Sequence, residues 1–336
     1  MDAIVQKPYD ATVRLMMASL ERNLLPDTVI RRLLAGRLRS GYKPSSELQL
    51  SDLLQFVHSL REMPIAVMTE KPKSQHYELP TSFFKIVLGK HLKYRSQLKD
   101  GHTLLDVGCG WGSLSLYIAQ KYSACEVTGI CNSVTQKAHI EEQCRELQLR
   151  NLEIIVADIS IFEMEGSYDR ILSIEMFEHM KNYGDLLKKM SRWMKADSLL
   201  FVHYFCHKAF AYHFEVHTRL ADQCMSISSA SITDVVVQDV NVMIGSLGTS
   251  SVEDDVSVVD HWLVNGKHYA QTSEEWLKRM DENKSSIKPI MESTYGKDSA
   301  VKWTVYWRTF FLSVAELCGY NNGEEWMVAH FLFKKK

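Results

Sequence analysis

The sequence predicts an α/β protein: a doubly wound, mostly parallel Rossmann-like sheet with an N-terminal helical extension and a lid insertion. Three observations predict it. From residue 101 onward, short apolar runs alternate with helical stretches, the pattern of parallel βαβ units. The first of these runs ends in a cluster of glycines, Gly108, Gly110 and Gly112, that opens directly into a helix. Over residues 11–70 the texture is helical, so the N-terminal extension stands outside the sheet.

The elements follow in order. Over residues 11–70, Met16, Met17, Leu20, Leu24 and Leu25, then Leu33, Leu34 and Leu38, recur at helical spacing, punctuated by Pro26, Pro44 and Pro64. Thr103–Val107 reads as the first strand and 111–122 as its helix. Glu126–Ile130 is the second strand, 133–147 the next helix, Leu152–Val156 the third strand and 169–173 the fourth. A helix over 185–194 and a strand over 199–203 complete the alternation. Residues 204–265 break the pattern, dense in Ser, Asp and Gly between Ser226 and Asp255, and read as the insertion. Stretches 274–280 and 301–317 read as helices, and 326–333 as a closing strand. The chain thus divides into an extension (1–98), a ligand-binding core (99–207), the insertion (208–270) and C-terminal helices with the closing strand (271–336).

Composition narrows the class. The 336 residues include 39 Lys and Arg against 41 Asp and Glu, a formal net charge of -2. A nucleic-acid binder normally carries a basic excess, so that class is excluded, and Lys334, Lys335 and Lys336 read as a solvated end. The 7 cysteines are scattered, odd in number and without a Cys-x-x-Cys pair, which argues for free thiols in a reducing compartment and against a zinc site. No metal is expected. The first ten residues have no apolar signal core and no run is long enough to cross a bilayer, so the expectation is a cytoplasmic protein with no membrane partner.

The most informative segment is Leu104-Leu105-Asp106-Val107-Gly108-Cys109-Gly110-Trp111-Gly112. Glycines there let the backbone turn sharply and approach a ligand, and the helix start offers free N–H groups. A dinucleotide fingerprint would place glycine where Ser113 stands and an acidic residue at the end of the second strand; that strand ends instead in Gly129-Ile130-Cys131-Asn132. Asp106 suits a cationic amino acid better than a pyrophosphate. Together these favour S-adenosylmethionine, with Asp158 at the end of the third strand placed to accept from an adenine amino group, or else to cap the turn before Ile159.

After the fourth strand comes Ile174-Glu175-Met176-Phe177-Glu178-His179. On a helix Glu175 would face Glu178 and His179, bringing two carboxylates and an imidazole to the sheet edge where the ligand sits. Methyl transfer to nitrogen needs a free amine, held in line and dry. Carboxylates can bind an ammonium, and a histidine with a pKa of about 6.5 can take its proton. The aromatic run at Trp303, Tyr306, Trp307, Phe310 and Phe311 reads as core or as a wall for an aromatic cation.

These motifs, with His76-Tyr77-Glu78-Leu79-Pro80 and Cys318-Gly319-Tyr320-Asn321-Asn322-Gly323-Glu324-Glu325-Trp326, resemble the plant coclaurine N-methyltransferase family, relatives of the pavine and tetrahydroprotoberberine N-methyltransferases and, more distantly, of cyclopropane fatty acid synthases. The resemblance covers most of 1–94, 101–215 and 255–336. It implies a class I methyltransferase fold, S-adenosylmethionine as donor and a benzylisoquinoline amine such as coclaurine as acceptor, with a homodimer as the assembly to look for. It assigns catalysis to Glu175, Glu178 and His179. Cofactor contacts fall on Tyr94, Asp106, Gly108, Gly110, Asn132, Gln136, Asp158, Ile159 and Ile174. Substrate contacts fall on Tyr77, Glu78, Tyr306, Trp307 and Phe310.

Two departures shape the expectation further. After Tyr94 the chain runs through Arg95-Ser96-Gln97-Leu98 straight into Lys99-Asp100-Gly101, without the helix that covers the cofactor in the family. Residues 216–251 lack the family's acidic run and Gly-Gly-x-Met-Pro stretch. An impaired or non-catalytic variant is therefore one alternative to the amine methyltransferase; a cyclopropane synthase-like lipid methyltransferase is the other.

Overall fold

The computed structural model describes residues 15–38, 45–66, 98–208, 212–213, 236–239 and 255–336. Seven long strands form the main sheet: β1 (Thr103–Val107), β2 (Glu126–Cys131), β3 (Leu152–Val156), β4 (Tyr168–Ile174), β5 (Met194–His207), β8 (Val256–Val264) and β9 (Trp326–Lys335). β3, β2, β1, β4 and β5 lie side by side and parallel. β9 then joins β5 antiparallel, and β8 forms the outer edge, antiparallel to β9. Two short strands, β6 (Tyr212–His213) and β7 (Val236–Asp239), pair with each other, and β7 extends the carboxyl end of β5 at Cys206 and His207.

Both faces of the sheet are covered, which is why its strands read as continuous apolar runs. Side chains alternate between faces along each strand. Leu105, Val107, Ile171, Leu200, Val202, Phe331 and Phe333 share one core with α2 (Ser46–Arg61) and α5 (Tyr183–Arg192). Leu104, Leu172, Phe201 and Leu332 point the other way, onto Ile118 and Ala119 of α3 (Ser113–Lys121). The helix after β2 is α4 (Val134–Glu146), started by Ser133, whose hydroxyl accepts from the Gln136 N–H.

A separate helical core joins the two ends of the chain. The helical stretch 15–21 and α1 (Asp27–Leu38) pack Leu20, Ile30 and Leu34 against α6 (Lys267–Glu282), α7 (Lys284–Tyr295) and α8 (Lys297–Gly319). Arg31 bridges Glu274 and Glu316, and Arg308 clamps Asp27 and Asp281. The extension read over 1–98 therefore splits: its first helices belong with the C-terminal ones, while α2 belongs to the sheet. The insertion read over 208–270 is also shorter than expected, because β8 is a strand of the main sheet and α6 begins at Lys267. Among the described residues no helix is long and apolar enough to cross a membrane, and no group of side chains is arranged to hold a metal ion.

Candidate active site

The glycine turn lies at the carboxyl edge of β1. The N–H groups of Gly108 and Cys109 both donate to the Ile130 carbonyl at 2.9 Å, tying the turn to β2. Gly108, Gly110 and Gly112 all have positive φ, at 84°, 53° and 76°, a region that side-chain-bearing residues rarely adopt. A Cβ on Gly108 would meet Met176 at 2.8 Å, whereas one on Gly110 would meet nothing within 4 Å. Gly110 thus faces open space, and α3 starts at Gly112 with no side-chain cap on its first N–H groups. This is a cradle for a ligand that approaches backbone.

Asp106 lies beneath the turn. It is 2% exposed and accepts from the Ser115 hydroxyl at 2.5 Å; burial pushes its pKa up to about 6 despite that bond. Its carboxylate is already engaged inside the protein, which suits a support of the turn. Asn132 sits half-buried at the end of β2, and Gln136 is buried below it. Asp158 accepts from the Ser160 N–H at 2.9 Å and from its hydroxyl at 2.6 Å, shaping the turn after β3, while Ile159 is buried in the core. The same turn is held from behind by Lys189 of α5. Its ammonium, buried, donates to the carbonyls of Ile159, Ser160 and Phe162 at 3.0 to 3.1 Å.

The acidic cluster stands on the next strand end. β4 stops at Ile174, and Glu175 takes a positive φ of 54°, a strained conformation for a non-glycine residue. A single 3₁₀ turn, Phe177–His179, follows in place of the expected helix. Glu175, Glu178 and His179 converge nonetheless. Met176 between them packs on Gly108, which sets the cluster beside the glycine cradle.

The two carboxylates have opposite environments. Glu175 is partly accessible, and accepts from His203 Nε2 at 2.7 Å and from the Tyr269 hydroxyl at 3.0 Å. Burial would raise its pKa, but the hydrogen bonds from His203 and Tyr269 and nearby His179 bring it below the ordinary value. Glu178 is 4% exposed. One oxygen accepts from the Phe205 N–H at 2.7 Å, and the other is buried with no hydrogen-bond partner among the described residues. Burial, then the charge of Glu175, push its pKa well above the carboxylate range. The surroundings thus favour the anionic form of Glu175 and the protonated form of Glu178, the separation that acid–base chemistry uses.

Of the residues singled out from the sequence, Tyr77, Glu78 and Tyr94 lie outside the described residues, as does most of 216–251. Ile174 is half-buried at the end of β4. Tyr306 faces the N-terminal helix, where its hydroxyl donates to Glu21. Trp307 and Phe310 pack with Phe311, and the ring contacts continue through Trp276 to Tyr269 at the acidic cluster. Sequence reasoning missed His203, Tyr269 and Lys189. His203 had a signal, a lone imidazole in an apolar strand near the ligand edge; Tyr269 and Lys189 had none.

Known proteins share this architecture. The family model of mycolic acid cyclopropane synthetase matches residues 95–310. The chain is 43% identical to the (S)-coclaurine N-methyltransferase of Thalictrum flavum subsp. glaucum over 361 aligned positions, 98% of each chain. It is 41% identical to the pavine N-methyltransferase of the same plant, over 89% of each. The crystal structure of a coclaurine N-methyltransferase bound to N-methylheliamine and S-adenosylhomocysteine superposes with a TM-score of 0.88 at 43% identity, covering 96% of this chain and all of that one. A cyclopropane synthase of Mycobacterium tuberculosis, at 19% identity and a TM-score of 0.61, shares the fold. The chain, with its cradle at Gly108–Gly112 and its paired carboxylates, belongs to the mycolic acid cyclopropane synthetase family of methyltransferases, within the group formed by the plant coclaurine and pavine N-methyltransferases.

Proposed function

We propose that this protein is an S-adenosylmethionine-dependent N-methyltransferase acting on a benzylisoquinoline alkaloid amine of the coclaurine type. The observation that carries the reading is the buried Glu178 oxygen that has no hydrogen-bond partner among the described residues, set next to Glu175 and beside the glycine cradle. The open space over Gly110 and the free N–H groups at the start of α3 fit a nucleoside amino acid, with Asn132, Gln136, Asp158 and Ile159 along its adenosine side and Ile174 in the cleft. When bound, the cofactor supplies an electrophilic methyl group on a sulfonium.

The residues then divide the work. An alkyl amine arrives as an ammonium, and the Glu175 carboxylate is the counter-charge that draws it in. Beside a buried carboxyl such as Glu178, a neutral amine next to a neutral acid is favoured over a buried ion pair. Glu178, once its own proton has left outward through His179, is the base whose surroundings favour regaining one, so the ammonium proton passes to Glu178 and frees the nitrogen lone pair. His179, half-buried and next in the chain, passes that proton outward. Trp307 and Phe310 serve as the apolar and cation-binding side of the pocket, with Tyr77 and Glu78 as further substrate contacts.

The test is methyl transfer from labelled S-adenosylmethionine to coclaurine and to a phospholipid, each with the wild type and Glu178→Gln. Transfer to the amine that is lost in Glu178→Gln supports the reading; transfer to the lipid alone overturns it. A second reading, an impaired catalyst, has its own observation. The alignment with the Thalictrum relative runs over 361 positions against 336 residues here, so at least 25 of that relative's positions have no counterpart in this chain. Restoring that length after Tyr94 and comparing turnover decides it: a large gain supports impairment, and equal rates dismiss it.

A further inference from the structure

Behind Glu175 the sheet carries a second histidine that the reading above does not use. β5 and β9 run antiparallel with His203 directly opposite His330. Their rings meet, His203 Nδ1 lying 2.9 Å from His330 Nε2. On its other sides His330 is boxed by aromatic rings, Phe201 and Trp262, each with its centroid 5.1 Å away. Its remaining nitrogen, Nδ1, is buried and has no hydrogen-bond partner among the described residues.

That arrangement fixes where the hydrogens sit. Burial, then the neighbouring His203, pull the His330 pKa down to about 4, so near neutral pH its ring is uncharged and holds one hydrogen. A hydrogen on Nδ1 would be a buried donor with nothing to donate to, the costly case. A hydrogen on Nε2 satisfies the bond to His203. His203 Nδ1 must then be the acceptor, which leaves the His203 hydrogen on Nε2, pointed at Glu175 Oε1.

We propose that His330 is a positioning residue for the methyl-transfer site: it sets the tautomer of His203, and through it holds Glu175 as an anion aimed at the amine while Glu178 takes the proton. Among the described residues, the titratable groups facing Glu175 are His203 from β5, Tyr269 from α6, Cys318 from α8, and Glu178 and His179 from the 3₁₀ turn. His330 is faced by His203 and, at longer range, Glu175. Tyr269 donates to Glu175 through a hydroxyl with a single hydrogen, so the histidine pair is the half of the support that has a choice of tautomer. Such orientation of one imidazole by a second group is how histidine chemistry is commonly directed.

The proposal rests on the amine methyltransferase reading, and its test separates the two. In ¹⁵N-histidine-labelled protein with S-adenosylhomocysteine, the His203 resonances report the hydrogen on Nε2 and none on Nδ1. In His330→Phe, which keeps the ring volume, that preference is lost and kcat falls by about tenfold with the KM for the amine little changed. His330→Gln returns an N–H to the same place and restores both the Nε2–H form and kcat. A hydrogen on His203 Nδ1 in the wild type, or the same His203 form and kcat in the wild type and His330→Phe, overturns the assignment. If no amine is methylated at all, the functional reading fails while the nitrogen resonances still decide the tautomer.

Discussion

Gly110 and Gly108 separate ligand binding from folding, because a methyl group added at each meets a different environment. At Gly110 (φ 53°) the new Cβ has nothing within 4 Å, so Gly110→Ala costs only the left-handed backbone, about 1 to 2 kcal/mol. At Gly108 (φ 84°) the same backbone cost is joined by contacts to Met176 at 2.8 and 2.9 Å, an overpacking of about 1 to 3 kcal/mol more. At about 2 to 4 °C per kcal/mol, Gly110→Ala loses only a few degrees in Tm and Gly108→Ala about twice as much. Binding reverses the order of surprise. The methyl at Gly110 occupies the space the cofactor needs, so calorimetry with S-adenosylhomocysteine shows more than about a tenfold rise in Kd, over 1.4 kcal/mol, in a protein that is almost as stable as wild type. If Gly110→Ala binds as tightly as wild type, the ligand does not rest on this turn and the whole assignment of the site goes with it.

The acidic cluster gives a rate prediction. Glu178→Gln lowers kcat by about 10²- to 10⁴-fold, the usual worth of a general base, and the acid limb of the wild-type pH–rate profile lies above the ordinary carboxylate range because Glu178 must shed its proton to act; a limb near pH 4 would refute that assignment. Asp106 gives a stability prediction whose sign is fixed by linkage. Its folded pKa of about 6 lies above the ordinary value of 3.8, so the folded state holds the proton more tightly, and stability falls as pH rises from about 4 to about 6. Asp106→Asn removes that slope, and urea unfolding at several pH values measures it. Arg308 clamps two carboxylates with its side chain 13% exposed. Since Asp27 is itself 40% exposed, Arg308→Met costs a solvent-screened ~1 to 2 kcal/mol, seen as a lower urea midpoint with kcat unchanged.

How far the fold was legible follows from burial. The run from β1 to β5 could be read because a sheet covered on both faces shows uninterrupted apolar strands between helical segments; Thr103–Val107 and Leu152–Val156 were read with the bounds observed. β8 was not read, because it is the outer edge. Its residues are mostly accessible, Asp260 and His261 interrupt the apolar pattern, and the register shifts between Val258 and Asp260. α7 was missed for a different reason: Pro289 sits inside it, and proline normally argues against a helix interior. The union of α1 with α6, α7 and α8 depends on contacts between the two ends of the chain, such as Arg308 with Asp27, that no local pattern encodes.

The site was legible where chemistry is carried by adjacent residues and invisible where it is carried by strands far apart in sequence. Three glycines in one turn, and Glu175 to His179 in one stretch, announce themselves. What separates the two carboxylates is not in that stretch. Glu175 is held toward its anionic form by His203 and Tyr269, 28 and 94 residues away, and Glu178 is pushed toward its protonated form by burial and by the charge of Glu175, against the bond from the Phe205 N–H. A helix through 175–179 would have placed the two side by side in similar surroundings. The strained φ at Glu175 instead turns its carboxylate toward His203 while Glu178 folds under the strand. The division of roles between two chemically identical groups is therefore a property of the sheet edge, and relaxing that backbone kink would merge them into one ordinary pair.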